Sequence, residues 1–240
     1  GSLRGKFGYW GSSRETLEVS APTIKEHVIK ANADLHFDIV AHTWDVDLRP
    51  AIQEALNPLE LEASPQPKTL DDVQSFGATM KRAAELKQGI EKRAGRQYDL
   101  AVLMRYDIYF RRSLDLSSMM LSDRLWTGHW CSINSRDLTV REIRLIAPNG
   151  SEDADASDIF TPQFARKEGV LAPSQMVHIG LHDYWFASSS TNIDRFSLWG
   201  DAAIGFRTKF GTDSPQIPHH SGHFYTLLHA QSLGLQSSFA

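Results

Sequence analysis

One cysteine, Cys131, is all that this 240-residue chain contains. An intrachain disulfide framework is therefore excluded, and a lone thiol fits a reducing compartment. No stretch reaches the ~18 apolar residues of a membrane-spanning helix. Nor is there a basic block: 25 Lys and Arg face 29 Asp and Glu, a net charge of -4. That gives no footing for a nucleic-acid partner or an anionic membrane surface. The phosphate-loop pattern GxxxxGK[ST] is missing. His178, His182, His219, His220 and His223 do not have the spacing of a zinc-hydrolase helix, and no cysteine pair assists them.

What is present suffices for one substantial core, since 41% of the residues are hydrophobic. Gly1-Ser2 reads as a cloning scar, and LRGKFG starts as though a strand had been cut off just ahead of it. The sequence thus fits a piece of a larger multidomain protein, with the cytoplasm as the default location. Residues 3–235 are expected to form a single domain.

Along the chain, Ser20 before APTI is a candidate helix N-cap, with Ile24, Val28 and Ile29 as the apolar stripe ending near Asn32. FDIVAHTW (37–44) reads as a strand, 48–56 as a short helix and 59–63 as another strand. A long helical pattern runs from Asp71 to Arg96, with Met80, Ala83, Leu86 and Ile90 on its apolar face and Lys81–Glu85 as a surface pair. YDLAVLMRYDIYF (98–110) follows as a strand with a fully buried middle. Strand–helix alternation of this kind predicts an α/β fold with a parallel, Rossmann-like first half. After residue 115 the rhythm breaks. Residues 125–133, 142–146 and 176–186 read as less regular strands of a mixed sheet, 149–158 as an exposed acidic loop, and 193–199 and 224–233 as helices.

FDIVAHTWD and YDLAVLMRYD share a design: aromatic-Asp, an apolar middle, then polar and aromatic residues closing on Asp. Ligands in open α/β sheets bind beyond the carboxyl ends of strands, where His42, Trp44, Asp45, Arg105 and Asp107 fall. Asp38 and Asp99, at the opposite ends, read as local turn or cap residues. Arg105 and Asp107 share a face at i, i+2. They either neutralise each other or hold a ligand between them. Asp45-Val46-Asp47 could grip a divalent ion with a diphosphate, but Asp47 is also well placed to cap the helix that follows. The Arg4-Gly5-Lys6 turn offers amide groups and two cations to a phosphate, or is simply a flexible turn.

The order of these segments resembles that of the small GT-A-like glycosyltransferases of chlorella viruses, algae and bacterial polysaccharide loci. The segments that carry the resemblance are RGKF, FDIVAHTWD, the long helix into YDLAVLMRYDIYF, HDYWFASSSTNIDRF and HHSGHFYTLLHAQ, covering residues 3 to about 232. It implies a nucleotide-sugar donor such as a UDP-sugar, a glycan acceptor and a divalent Mn2+ or Mg2+. It implies that Arg4, Gly5 and Lys6 approach the nucleotide and that Asp107 is the metal-facing carboxylate, while His42, Trp44, Arg105 and Tyr184 are the further donor-binding candidates. It puts Asp183, Tyr184 and Trp185 near the reacting centre.

Two positions depart from the family pattern. Arg105 stands where the first of two acids is expected, and His223 stands where an acid is expected in the C-terminal helix. Glycosyl transfer passes through an oxocarbenium-like state and needs its departing diphosphate stabilised. Inversion would also need a base for the acceptor hydroxyl, with Asp183 the first candidate and His223 the second. The alternatives are a non-catalytic nucleotide- or carbohydrate-binding domain of a glycan-assembly protein, or an α/β sulfotransferase.

Overall fold

The computed structural model describes residues 13–120, 124–128, 130–134, 140–142, 177–181, 185–210 and 222–239. The elements are, in order, α1 (Ser13–Ile24) running into a π turn (Lys25–Ile29) and a 3-10 turn (Lys30–Asn32), β1 (Val40–Thr43), a 3-10 turn (Val46–Leu48), α2 (Arg49–Leu56), β2 (Glu60–Ala63), α3 (Asp72–Ala94) and β3 (Ala101–Met104). They continue with α4 (Leu116–Met120), β4 (Leu125–Thr127), β5 (Trp130–Asn134), β6 (Val140–Glu142), β7 (Val177–Leu181), β8 (Trp185–Ser188), α5 (Ser190–Phe196), α6 (Trp199–Phe210), α7 (Gly222–Ser232) and β9 (Ser237–Phe239). None of the described helices is long and apolar enough to cross a membrane.

The fold is mixed α/β. β1 and β2 pair in parallel, and β6-β5-β7 is antiparallel. β3 lies in a four-stranded sheet of order β3-β8-β4-β9, antiparallel to β8, while β4 and β9 run parallel. Among the described residues, the parallel pairing expected of the first half is thus limited to β1 and β2.

The apolar run of β3 is explained by two cores, one on each face of its sheet. Ala101 and Leu103 pack against Phe186, Phe196, Trp199 and their neighbours. Leu100, Val102 and Met104 pack against the opposite cluster, which includes Ile24, Val28, Ile52 and Trp185. Alternation along β8 does the same, Phe186 entering one core and Trp185 and Ala187 the other. β3 itself is half-buried rather than fully buried.

Several local expectations change. Ser20 does not open a helix. It lies inside α1 and is buried, on the helix whose Leu17, Ala21 and Ile24 form the apolar face. Pro22 sits within that helix and leaves the Glu18 carbonyl without its usual donor. Lys81 pairs with Asp201 of α6 (3.0 Å), and Glu85 pairs with Arg82 (2.9 Å), so the expected Lys81–Glu85 pair gives way to two others. The expected strand over 125–133 is divided into β4 and β5, and that over 176–186 into β7 and β8. The acidic stretch 149–158 lies outside the described residues.

α3 obeys its sequence signals. Asp71 and Gln74 form a reciprocal capping box at its start, and Gly95 closes it at φ 66°. Of its expected apolar face Met80 and Ile90 are buried and Ala83 and Leu86 are half-buried, and the buried side also takes in Ala84, Lys87 and Glu91, so two charges join it. Lys87 Nζ donates to Glu91 (2.7 Å) and to the hydroxyl of Ser190, and forms an ion pair with Asp194 (3.0 Å). Ser190 Oγ donates to Glu91 Oε1 (2.5 Å), as does the Tyr98 amide (2.9 Å). This network ties α3 to α5. Further along, α3 crosses α6 at Gly77 and Gly200: a β-carbon on Gly200 would lie 2.9 Å from Gly77 Cα. Glycine is required there because backbone meets backbone.

Candidate functional site

The carboxyl end of β1 is shaped by short-range polar contacts. Thr43 Oγ1 accepts from the Asp45 amide (3.1 Å), and Asp45 Oδ1 accepts from the Asp47 amide (3.2 Å), capping the 3-10 turn Val46–Leu48. Asp45 is therefore the cap, in place of Asp47, because the chain turns one residue after the strand. α2 starts without a side-chain cap, aided by Pro50 in its first turn.

His42 is 2% exposed, and neither ring nitrogen has a hydrogen-bond partner among the described residues. Burial, reinforced by the positive charge of Arg82, pulls its pKa down to about 4. The ring is neutral at physiological pH. Trp44 stands edge-on to it, ring centres 4.4 Å apart, and donates its Nε1 hydrogen to the Ser75 carbonyl (3.3 Å). Trp44 remains half-exposed, so its ring is not simply core.

The carboxyl end of β3 carries Arg105, Tyr106 and Asp107. Arg105 folds back on Asp107 in a two-pronged pair, Nε to Oδ1 at 2.8 Å and Nη2 to Oδ2 at 2.6 Å. Burial would raise the Asp107 carboxyl, but the Arg105 hydrogen bonds and charge prevail and hold it below the usual range. Tyr106, pointing the other way, donates its hydroxyl to the His42 carbonyl at 2.7 Å. Burial pushes that phenol's pKa up, so it stays a donor. At the other end of these strands, Tyr98 donates to Asp38 (2.6 Å). Asp38 is thus a cross-strand tie rather than a local turn residue.

The structure therefore brings His42 and Trp44 together with the Arg105–Asp107 pair, through Tyr106. Sequence inspection passed over Tyr106. Its signal was the i+1 position between two same-face charges, which aims it at the neighbouring strand. Register adds one more relation: Met104 pairs with Trp185, so the chain enters β8 at the end of the sheet where Arg105 leaves β3. Trp185 itself is 5% exposed and belongs to the core, which rules it out as a sugar platform. Arg4, Gly5, Lys6, Asp183 and Tyr184 lie outside the described residues. His223 is the second residue of α7.

The donor set among the described residues does not fit a divalent ion. Both Asp107 oxygens accept from Arg105, the Asp45 carboxylate caps a turn, and no cluster of three metal-ligating side chains is found among these residues. What the described site offers to solvent is a guanidinium and a half-exposed indole at the ends of two strands, with the His42 imidazole buried behind the indole. Such groups suit an anion and a flat or ring-shaped ligand. Compared with known proteins, the chain matches no family model and no curated sequence.

Proposed function

We propose that this protein is a nucleotide-sugar-dependent glycosyltransferase acting on a hydroxyl of a glycan acceptor. The observation that carries this is the Tyr106–His42 bond, which joins the ends of β1 and β3 where Trp44 and Arg105 follow them. In this proposal Arg105 faces the departing diphosphate, where fixed positive charge has its largest effect on rate. Trp44 and Tyr184 flank the donor, and Arg4, Gly5 and Lys6 contribute amides and cations to its phosphates. Asp183, two residues ahead of Trp185, takes the proton of the acceptor hydroxyl, with His223 as the alternative base. Asp107 positions Arg105 in its present pairing and turns to a divalent ion only if Arg105 releases it.

The test is a thermal-shift panel of nucleoside diphosphates and their sugars, each with and without manganese. A ligand at ~100 times its dissociation constant adds about 2.7 kcal/mol, which raises the melting temperature of a domain this size by roughly 5–10 °C. A shift with one nucleotide class supports the proposal, and its manganese dependence decides the role of Asp107. Asp107→Ala should abolish donor turnover in a folded protein, and full activity would defeat the assignment. Asp183→Asn should impair transfer more than donor binding.

The Arg105–Asp107 pair favours one second reading, a non-catalytic nucleotide- or carbohydrate-binding domain, because both oxygens of the Asp107 carboxylate are taken by Arg105. Binding of donor without turnover selects it.

A further inference from the structure

Beyond Asp107 the chain runs as a ribbon in which exposure alternates. Asp107, Tyr109 and Arg111 face solvent, while Ile108 and Phe110 are 8% and 6% exposed. The alternation fixes which side chains point outward. The ribbon is also pinned. The Phe110 amide donates to Thr23 Oγ1 (3.1 Å) and the Leu114 amide to the His27 carbonyl (3.0 Å). Buried Asn32 donates to the Leu114 carbonyl (2.8 Å) and accepts from the Leu116 amide (2.9 Å). A segment held at so many points presents its outward side chains at little ordering cost.

Those side chains are Tyr109, 58% exposed, and the exposed Arg111 and Arg112. Among the described residues, neither of these two arginines has a carboxylate within ion-pair distance. The acids around them are engaged elsewhere: Asp107 by Arg105, Glu26 by Lys30 and Asp115 by the Ser118 amide. On a chain of net charge -4 this is a local surplus of positive charge beside an exposed aromatic ring.

We infer that the Tyr109–Arg112 ribbon is the acceptor surface and takes a saccharide bearing carboxylates, of the uronic-acid type. A guanidinium matches a carboxylate with two parallel hydrogen bonds, and an exposed tyrosine ring covers the apolar face of a sugar. Tyr109 and Arg111 are both exposed, on either side of buried Phe110, and the chain bends at Arg111 and Arg112. In this inference a sugar stacked on Tyr109 presents the acid of its neighbour to the adjacent Arg111 and Arg112. The acceptor role rests on the glycosyltransferase proposal; the binding chemistry does not.

The experiment is a calorimetric titration of the whole protein with a short oligogalacturonate and with its fully methyl-esterified form. The free acid should bind and the ester should bind at least tenfold more weakly. Arg111→Gln/Arg112→Gln should lose at least tenfold for the acid alone, Tyr109→Ala should weaken both forms, and the donor-induced thermal shift should be unchanged in all variants. No binding of the acid, equal binding of acid and ester, or full binding by the double variant would overturn the inference. An absent oligogalacturonate signal with an intact donor shift removes only the acidic acceptor. Acid-selective binding with no donor shift removes the transferase and leaves the surface.

Discussion

Lys87→Met removes the one cation at the centre of the α3–α5 network while keeping the length of the side chain. Lys87, Glu91 and Asp194 have side chains only 9%, 7% and 19% exposed. Breaking a buried pair by removing one partner costs about 3–5 kcal/mol, because the other charge is left in a poor solvent. Here Glu91 keeps two donors, the Ser190 hydroxyl and the Tyr98 amide, so the low end applies, about 3 kcal/mol. In a chain of this length that lowers the melting temperature by roughly 6–12 °C. The sign with pH follows from Glu91. Burial would raise its pKa, but Lys87, Ser190 and Tyr98 together hold it below the usual range. Its contribution is therefore present above the ordinary carboxylate pKa and is lost as pH falls through the depressed value. Without Lys87 the carboxyl titrates higher, and protonation relieves the penalty. The stability gap between wild type and variant should accordingly narrow toward pH 4 in urea denaturation. Adding Glu91→Gln should recover part of the loss at neutral pH. A cost below about 1 kcal/mol, or strictly additive effects in the double variant, would refute the view that these charges support one another.

Gly200→Ala pushes a β-carbon into the Gly77 backbone and should cost about 1–3 kcal/mol, read as a lower denaturant midpoint with unchanged slope. Asp71→Ala removes half of the capping box and should cost about 1 kcal/mol, with Asp71→Ser recovering most of it by the same measurement. His42 is neutral when folded, whereas an unfolded histidine protonates near pH 6.5. Between that pH and about 4 wild type should therefore lose roughly 3 kcal/mol. His42→Phe should flatten this part of the stability–pH curve, and an unchanged slope would show that the imidazole is not the titrating group.

Helices and strands whose signals are local could be read directly. α3 announces itself by apolar residues at helical spacing between Asp71 and Arg96, and β2 by the short run 59–63. The buried side of α3 is legible in Met80 and Ile90 but not in Lys87 and Glu91, which look like surface residues until Ser190 and Asp194, a hundred residues away, supply their partners. β3 looked like the middle of a parallel sheet because a run apolar on both faces says only that both faces are covered. Its neighbour β8, antiparallel, comes from the far half of the chain. At the site, the i, i+2 spacing disclosed that Arg105 and Asp107 share a face, but not that they close on each other. That depends on side-chain torsions and on competing partners, neither of which spacing encodes.

The two tyrosine contacts of the β3 segment impose unequal demands on sequence change. Tyr98 reaches a carboxylate, Asp38, so its acceptor is a side chain; Tyr106 reaches the main-chain oxygen of residue 42. Substitution at 38 breaks the first contact from either side, and positions 38 and 98 are expected to drift as a pair across relatives. Position 106 is bound to a hydroxyl-bearing aromatic whatever residue occupies 42. Ahead of β1 and β3, which lie in different sheets, the chain is thus joined by a correspondence between two letters, and after them by one letter and the backbone. This leaves residue 42, alone of the four, released from the hydrogen bond, its side chain held instead by burial and the packing against Trp44.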